Sequence, residues 1–226
     1  LEKTLTALRE IAVETNKEWS AIFSIPQSTA ITCVKPSGTV SQLVDSSSGI
    51  HPRHSSFYVR TVRGDNKDPL TQFMIDSNIP NEPDFMKPDT QTVFSFPMKS
   101  PKKSVVRNDM TAIQQLEMWL LYQRHWCEHK PSVTISVRDD EWMEVGAFVF
   151  KHFDEMSGVS FLPHSDHTYQ QAPYQDCTEA VYNDFSSKFT HIDWDKFKSY
   201  EKEDNTHSSQ TLACSGDSCE IVDIGA

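Results

Sequence analysis

The opening of the chain alternates apolar and polar positions with the period of a helix. The apolar positions are Leu1, Leu5, Leu8, Ala12 and Trp19. Because residues three or four apart lie on one face of a helix, this spacing predicts an amphipathic helix over residues 1–20. Pro26 ends it, since proline supplies no amide hydrogen for the helical ladder.

Several short runs have the β-branched or alternating pattern of strands. Residues 29–34 are β-branched and mostly apolar, which is typical of a buried strand and makes Cys33 a small apolar core residue. Residues 90–96 are also predicted to form a strand, and Pro97 ends it. The remaining predicted strands are residues 57–62, 132–137 and 158–162.

Helix signals fall between these runs. Asp68 followed by Pro69 predicts a helix start, and that helix runs through Asp76. The other predicted helices run from Asp109 or Thr111 to about His129, from Asp139 to about Phe153, and over residues 176–185. Cys127 and Cys177 fall in these helical patterns and are interpreted as structural. Strands that alternate with helices in this way predict an α/β fold with parallel strand pairing.

Composition and charge narrow the classes of function. The 226 residues are 37% hydrophobic and 11% aromatic, enough for a substantial core, and the formal net charge is −11. A nucleic-acid surface needs a basic stripe, so we expect no nucleic-acid partner. No apolar run approaches the ~18 residues of a membrane span and no secretory signal is visible, so no membrane partner is expected either. Five scattered cysteines favour a reducing, cytoplasmic location over a disulfide framework.

A candidate anion-binding loop follows the run at residues 29–34. It consists of Pro36, Ser37, Gly38, Thr39, Val40 and Ser41. Gly38 lets an anion approach backbone N–H groups, the hydroxyl side chains add donors, and a helix that starts at the loop would add partial positive charge. The Gly-Lys-Ser/Thr ending of a Walker loop is absent, so a kinase or ATPase is not indicated. An ordinary strand-to-helix turn has the same composition, and these six residues alone leave both interpretations open.

A pair of cysteines lies near the end of a polar stretch. Low apolar content from residue 198 onward predicts a flexible tail over residues 198–226, after a folded portion over residues 1–197. Cys214 and Cys219 in this tail suit a dithiol that exchanges with disulfides in two different places. The alternatives are two unrelated surface cysteines, or a weak metal pair that would need two more ligands, of which only His207 is near.

Longer stretches of the chain resemble a known family. The substrate-phosphate region of ribonucleotide reductase large subunits resembles residues 35–43 (KPSGTVSQL) and 47–54 (SSGIHPRH). The adenosylcobalamin-dependent, monomeric type (class II), which reduces ribonucleoside triphosphates, looks most similar at residues 133–137 (VTISV), 158–163 (GVSFLP) and 171–174 (QAPY). The resemblance extends over nearly the whole chain.

This resemblance implies a fold and a reaction. The fold would be the C-terminal part of a ten-stranded α/β barrel, in which the loop at residues 36–41 holds the substrate's phosphates. The reaction would convert a ribonucleoside triphosphate to a 2′-deoxyribonucleotide for DNA synthesis, through a cysteine thiyl radical and with adenosylcobalamin as cofactor. Cys214 and Cys219 would restore the active-site dithiol, and thioredoxin or a similar protein would then reduce them.

The same resemblance implies that the N-terminal remainder of the enzyme is a partner of this chain. The chain starts with Leu1 inside a helical pattern, as a piece of a longer protein would. The family's radical cysteine lies upstream of the phosphate motif, so we expect this piece alone to be inactive.

Two other functions stay open. One is a ribonucleotide reductase with a diiron or dimanganese radical source that acts on diphosphates. Iron-dependent relatives carry a tyrosine pair in a strand near their C-terminus, and the matching stretch here, GVSFLP, has none. The other is a non-catalytic nucleotide-binding module whose tail cysteines are incidental.

Charged and imidazole side chains near these motifs are weaker candidates. Lys35 and Arg53 are placed to help neutralise substrate phosphates. The histidines of the HPRH and HSDH segments are interpreted as structural, and no metal site is predicted. They are His51, His54, His164 and His167.

Overall fold

The computed structural model describes residues 1–38, 40–164, 169–189 and 192–202. Its helices are α1 (Glu2–Phe23), α2 (Val40–Leu43), α3 (Pro69–Asp76), α4 (Ala112–His125), α5 (Trp142–Lys151) and α6 (Glu179–Ser187). Its strands are β1 (Phe57–Asp65), β2 (Asn81–Pro83), β3 (Gln91–Lys99), β4 (Thr134–Val137), β5 (Ser160–Pro163) and β6 (Tyr174–Asp176). Short 3-10 segments lie at Arg107–Asp109, Phe153–Glu155 and Trp194–Ser199. Among the described residues, none of these helices combines the length and apolar character that crossing a bilayer demands.

The chain divides into two compact units. One consists of residues 1–56 and 100–167, and the other of residues 57–99 with the described residues from 169 onward. This division does not test the predicted boundary between a folded portion and a tail at residues 197 and 198, which stays a prediction.

A strand-helix-strand motif and two long helices form the first unit. β4 and β5 pair in parallel, with Ile135 opposite Phe161, and α5 lies between them in the chain. α1 packs against α4, where the Thr6 hydroxyl oxygen lies 3.0 Å from Nδ1 of His125.

The core of the first unit lies between α4, β4 and α5. Trp119 and Ile135 are fully buried, and Val145 is 3% exposed. The other buried members are Ala112, Leu116, Leu120, Val133 and Val137. The indole N–H of Trp119 donates to the carbonyl oxygen of Pro131 at 3.1 Å, so the one polar atom of this side chain is satisfied. Truncating a buried aromatic residue of this kind to alanine costs about 3–5 kcal/mol.

Side-chain caps define where α4 begins. Thr111 accepts from the Gln114 N–H at 3.1 Å, and the Gln114 side chain accepts from the Thr111 N–H at 2.9 Å. The Glu141 carboxylate accepts from the N–H of Ala112 at 3.0 Å and from that of Arg138 at 2.8 Å. Glu141 therefore joins the start of α4 to the end of β4.

An antiparallel sheet forms the second unit, with the strand order β2-β3-β1-β6. β1 pairs with β3 along its whole length and with β6 at Tyr58, Val59 and Arg60. Tyr58, Phe94 and Phe73 are each at most 2% exposed and provide the core. The aromatic rings of the Trp194–Ser199 segment and Tyr200 pack on Phe73.

The QAPY segment is held in the second unit by Gln171. This residue has a φ of 57° and is 6% exposed. Its amide group donates to the Pro83 carbonyl oxygen at 2.7 Å and accepts from the Phe85 N–H at 2.8 Å. The segment that resembles the reductases is thereby attached to the β2 edge.

The elements with clear caps and long periodic patterns are confirmed. α1 and α3 lie where the spacing and the Asp68-Pro69 pair predict them, and Thr111 rather than Asp109 caps α4. The prediction of parallel pairing was wrong for most strands: within the described residues β4 and β5 are parallel and the other four strands are antiparallel.

Residues 29–34 do not form a strand, and Cys33 is exposed rather than buried. The segment bonds to a turn instead of a strand: the Thr32 carbonyl oxygen accepts from the N–H groups of Glu128 and His129. The same contacts explain why α4 ends at His125 and not at His129, which leaves Cys127 outside the helix.

Three other boundaries also differ from prediction. β3 continues through Pro97. The pairing of β2 with β3 ends at Phe94, so the amide hydrogen that Pro97 lacks removes no hydrogen bond between these two strands. Asp176 belongs to β6, and α6 starts only after Thr178 caps it, so Cys177 lies between the two. α5 runs over Trp142–Lys151 after Glu141, rather than from Asp139 to Phe153.

Candidate functional site

The predicted anion loop lies at an exposed turn of the first unit, between the extended segment at residues 29–35 and α2. Pro36, Gly38 and Val40 are exposed, Ser37 is half-buried and Ser41 is 4% exposed. Thr39 lies outside the described residues. The described part of the loop is therefore exposed at Pro36, Gly38 and Val40, while Ser37 and Ser41 attach it to the protein.

Two hydroxyl groups of the loop are used to hold its own backbone. The Ser37 hydroxyl accepts from the Ser41 N–H at 3.0 Å, and the Ser41 hydroxyl donates to the Ser37 carbonyl oxygen at 3.3 Å. These bonds shape the first turn of α2. They also reduce the number of donors that the loop can offer to an anion, because the Ser41 N–H is already bonded inside the loop.

Gly38 has open space where a side chain would be. A Cβ atom built on Gly38 meets no other atom within 4 Å. Neighbouring protein atoms therefore do not require a glycine at this position. The space is of the kind that a bound anion needs next to backbone N–H groups.

A turn downstream of the loop contacts it directly. The Ser48 hydroxyl accepts from the Ser37 N–H at 2.9 Å and donates to the Ser37 carbonyl oxygen at 2.9 Å. Gly49 follows with a φ of 61°, and a Cβ there would lie 3.2 Å from the Lys35 carbonyl oxygen. Ser48 was not among the predicted site residues, and its place in the SSGIHPRH stretch was the sequence signal that pointed to it.

His51 connects this turn to the sheet. Its Nδ1 lies 2.7 Å from the Ser48 carbonyl oxygen, and its Nε2 accepts from the Thr134 N–H at 2.9 Å. Thr134 is the first residue of β4. His51 is therefore hydrogen-bonded at both ring nitrogens, as predicted.

The two cationic candidates are both hydrogen-bonded to the protein, and their role towards phosphates stays a prediction. Arg53 is 3% exposed, and its guanidinium donates to the Ser46 carbonyl oxygen at 2.7 Å and to the Ser100 hydroxyl at 3.2 Å. Burial and these bonds make it a structural residue of the turn. Lys35 is directed to the Lys130 carbonyl oxygen at 2.8 Å, so its ammonium group is also engaged.

The cysteines separate into two groups. Cys214 and Cys219 lie outside the described residues, so their redox role stays a prediction. Burial raises the pKa of the Cys127 thiol and of the Cys177 thiol, which favours the protonated form of both. That finding agrees with the structural role predicted for them.

His164 is hydrogen-bonded, with Nε2 placed 2.9 Å from the side-chain oxygen of Asn108. His167 lies outside the described residues. Across the described parts of the chain, no group of three or more His, Cys, Asp or Glu side chains is arranged to hold a metal ion.

A concave surface lies beside α1, and its charge does not suit a phosphate. It is lined by Glu2, Lys3, Thr6, Ala7, Glu10 and His125. Its two carboxylates outnumber the single lysine, so a polyphosphate would be repelled there. The loop at residues 36–41 is the better candidate for an anion.

No family model matches this chain. Several adenosylcobalamin-dependent ribonucleoside-triphosphate reductases are nevertheless similar to it in sequence. The probable adenosylcobalamin-dependent ribonucleoside-triphosphate reductase of Dictyostelium discoideum is 29% identical over 215 residues, which are 92% of this chain and 27% of that protein. The adenosylcobalamin-dependent ribonucleoside-triphosphate reductase of Euglena gracilis is 29% identical over 169 residues, 74% of this chain and 23% of that protein.

A solved structure has the same fold. The crystal structure of a B12-dependent (class II) ribonucleotide reductase superimposes with a TM-score of 0.74 at 23% identity, over 89% of this chain and 28% of that one. The chain thus spans about a quarter of the length of the proteins that it matches. The chain is thus similar in sequence to two adenosylcobalamin-dependent ribonucleoside-triphosphate reductases, and its fold matches one part of a class II ribonucleotide reductase.

Proposed function

We propose that the protein to which this chain belongs reduces ribonucleoside triphosphates to 2′-deoxyribonucleotides, with adenosylcobalamin as its cofactor. In this proposal the described residues belong to the C-terminal part of a ten-stranded α/β barrel. The observation that carries the proposal is the open loop tip at Gly38, in a fold shared with a class II ribonucleotide reductase. The names of the curated relatives supply the substrate class and the cofactor.

The loop at residues 36–41 would hold the triphosphate. Hydroxyl groups and those amide N–H groups that are not already bonded within the protein are donors that suit phosphate oxygens, and the exposed position of Gly38 admits such an anion without displacement of the core. We assign no cobalamin contact to the loop. When bound, the cofactor supplies the radical, and the residues of this chain position the substrate.

The test is a substitution that fills the open space at Gly38. Gly38→Val should fold normally, because a Cβ there meets nothing within 4 Å. In the full-length protein supplied with adenosylcobalamin and a small dithiol, we expect its KM for a ribonucleoside triphosphate to rise tenfold or more, as the side chain occupies the ligand's place. Product is measured as deoxynucleotide by chromatography.

Gly146→Ala is the matched control, since Gly146 lies in α5 with equally open surroundings. Reduction without added cobalamin, or of diphosphates alone, would support a metal-based reductase instead. A wild-type protein that binds nucleotide and yields no deoxynucleotide would support a binding module.

The tail cysteines carry the second part of the proposal. Cys214 and Cys219 would reduce the active-site disulfide by thiol–disulfide exchange: two tail thiols become one disulfide, and the active-site disulfide becomes two thiols. Thioredoxin or a similar protein would then reduce the tail disulfide in the same way.

Cys214→Ser with Cys219→Ser in the full-length protein should abolish turnover supported by thioredoxin. Turnover supported by a small dithiol should persist, because such a reagent diffuses into the active site. Steady-state rates with each reductant measure the difference. Equal rates of the double variant and the wild type with thioredoxin would show that these cysteines are incidental.

The N-terminal remainder of the enzyme is the third part. Large apolar side chains of α1 are about half exposed or more: Leu8, Ile11, Trp19, Ile22 and Phe23. Contiguous apolar surface of this kind marks a contact with another protein segment. The chain spans about a quarter of its relatives' length, so we place the remainder of the same polypeptide against this face.

A further inference from the structure

We propose that Ser48 and His51 are positioning residues for the phosphate loop, and that they determine how tightly the loop binds a polyphosphate. This inference rests on the proposed function and adds two residues that lie outside the loop itself. We call them the loop clamp.

The first contact of the loop clamp is between Ser48 and Ser37. One hydroxyl group satisfies both backbone polar groups of Ser37, as it accepts from the N–H and donates to the carbonyl oxygen, each at 2.9 Å. The peptide groups on both sides of Ser37 are thereby held in one orientation. Gly38 follows immediately, so the direction of the open tip depends on this pair of bonds.

The second contact fixes the tautomer of His51. A carbonyl oxygen can only accept and a backbone N–H can only donate. The ring therefore carries its hydrogen on Nδ1, which donates to the Ser48 carbonyl oxygen at 2.7 Å, and it keeps the Nε2 lone pair for the Thr134 N–H at 2.9 Å. His51 thus bridges the turn and the first residue of β4.

Tight packing at Gly49 supports the same interpretation independently. Its φ of 61° suits glycine, and a Cβ would lie 3.2 Å from both the Lys35 carbonyl oxygen and the Val34 side chain. The turn that carries Ser48 is thus pressed against the segment that enters the loop. A chain of contacts runs from β4 through His51 and Ser48 to Ser37.

Removal of the clamp should weaken phosphate binding without removing the fold. In the full-length protein with adenosylcobalamin, we expect Ser48→Ala to raise the KM for a ribonucleoside triphosphate about tenfold at nearly constant kcat, because it removes both hydrogen bonds to the half-buried Ser37. The Ki of inorganic tripolyphosphate, which lacks sugar and base, should rise by the same factor.

Conservative variants separate positioning from general damage. Ser48→Thr keeps the hydroxyl and should restore the KM. His51→Asn keeps a donor near Nδ1, and His51→Gln keeps an acceptor near Nε2, so each retains one of the two bonds and should show a smaller rise than His51→Ala. Ser47→Ala, in the same exposed turn, is the control and should behave as wild type.

The outcomes distinguish the clamp from the proposed function. A Ser48→Ala variant with unchanged KM and unchanged tripolyphosphate Ki overturns the clamp alone. A variant that only unfolds at lower temperature, with the KM of its folded fraction unchanged, overturns it as well. If the wild type makes no deoxynucleotide, the proposed function fails, and the dissociation constant of tripolyphosphate still decides the clamp; a wild type that binds no tripolyphosphate overturns both.

Discussion

Two glycines of this chain have opposite surroundings. A Cβ on Gly64, in β1, would lie 2.4 Å from the Thr71 hydroxyl oxygen and 3.2 Å from the Phe94 ring. Thr71 belongs to α3 and is 3% exposed, so it has little room to move. Gly146, in α5, has no atom within 4 Å of its Cβ position apart from its chain neighbours and the backbone of its own helix. The first glycine is required by close approach of a helix to the sheet, and the second is not.

Gly64→Ala should destabilise the second unit. We expect the free energy of opening of β1 and β3 amides to fall by about 1–3 kcal/mol, because an extra methyl group forces Thr71 or Phe94 away. Hydrogen exchange of the full-length protein measures it. Gly146→Ala is the control and should be neutral or more stable by up to about 1 kcal/mol, since alanine favours a helix. Equal effects of the two substitutions would contradict the packing argument.

At the scale of elements, the carboxylate of Glu141 links the start of one helix to the end of a strand. Glu141 precedes α5, accepts from the first residue of α4 and accepts from Arg138 just after β4. Burial raises the pKa of Glu141, but the N–H groups of Arg138 and Ala112 outweigh it and hold the pKa below 4.5. The ionised form is therefore the one that the fold prefers.

Glu141→Gln should loosen this junction, because the amide NH₂ would face one of the two N–H donors. We expect the amides of α4 and β4 to lose about 1–3 kcal/mol of protection against hydrogen exchange at neutral pH. Glu144→Gln, exposed in the first turn of α5, is the control.

The pH dependence has a definite sign. The Glu141 pKa is lower in the folded state, so its contribution is present above about 4.5 and is lost as the pH falls through the lowered folded value. The difference between wild type and Glu141→Gln should therefore shrink on acidification. A difference that grows in acid would contradict the assigned hydrogen bonds.

At the scale of the whole molecule, α1 presents more apolar surface than its own unit covers. Leu5 is buried, whereas Leu8, Ile11, Trp19 and Ile22 are exposed at helical spacing. Burial of one isoleucine side chain contributes about 1.5–3 kcal/mol, so covering this row of side chains would stabilise the protein substantially.

Ile11→Lys tests whether another part of the full-length protein covers this row. If it is covered, the substitution should lower the unfolding temperature by several degrees, because the ammonium group would be buried without a partner. Glu10→Lys, exposed on the neighbouring polar face, is the control and should leave the temperature unchanged. Differential scanning calorimetry gives both values, and an unchanged Ile11→Lys protein would contradict the proposed cover.

The sequence by itself determined the elements whose signals are local and the family to which the chain is similar. Helical spacing located α1, the Asp68-Pro69 pair located α3, and the KPSGTVSQL stretch pointed to the loop that we propose to bind phosphates. Caps and periodicity act over a few residues, so a single sequence shows them directly.

Only the tertiary structure decided the pairing of strands and the partners of the loop. Residues 29–34 are β-branched, as in a strand. Their carbonyl groups nevertheless bond to the turn after α4, and nothing within residues 29–34 predicts that partner. The Ser48 hydroxyl reaches Ser37, and His51 reaches Thr134 across 83 positions of sequence. Hydrogen bonds between distant residues depend on how the chain folds back, and that is why composition and spacing could not place them.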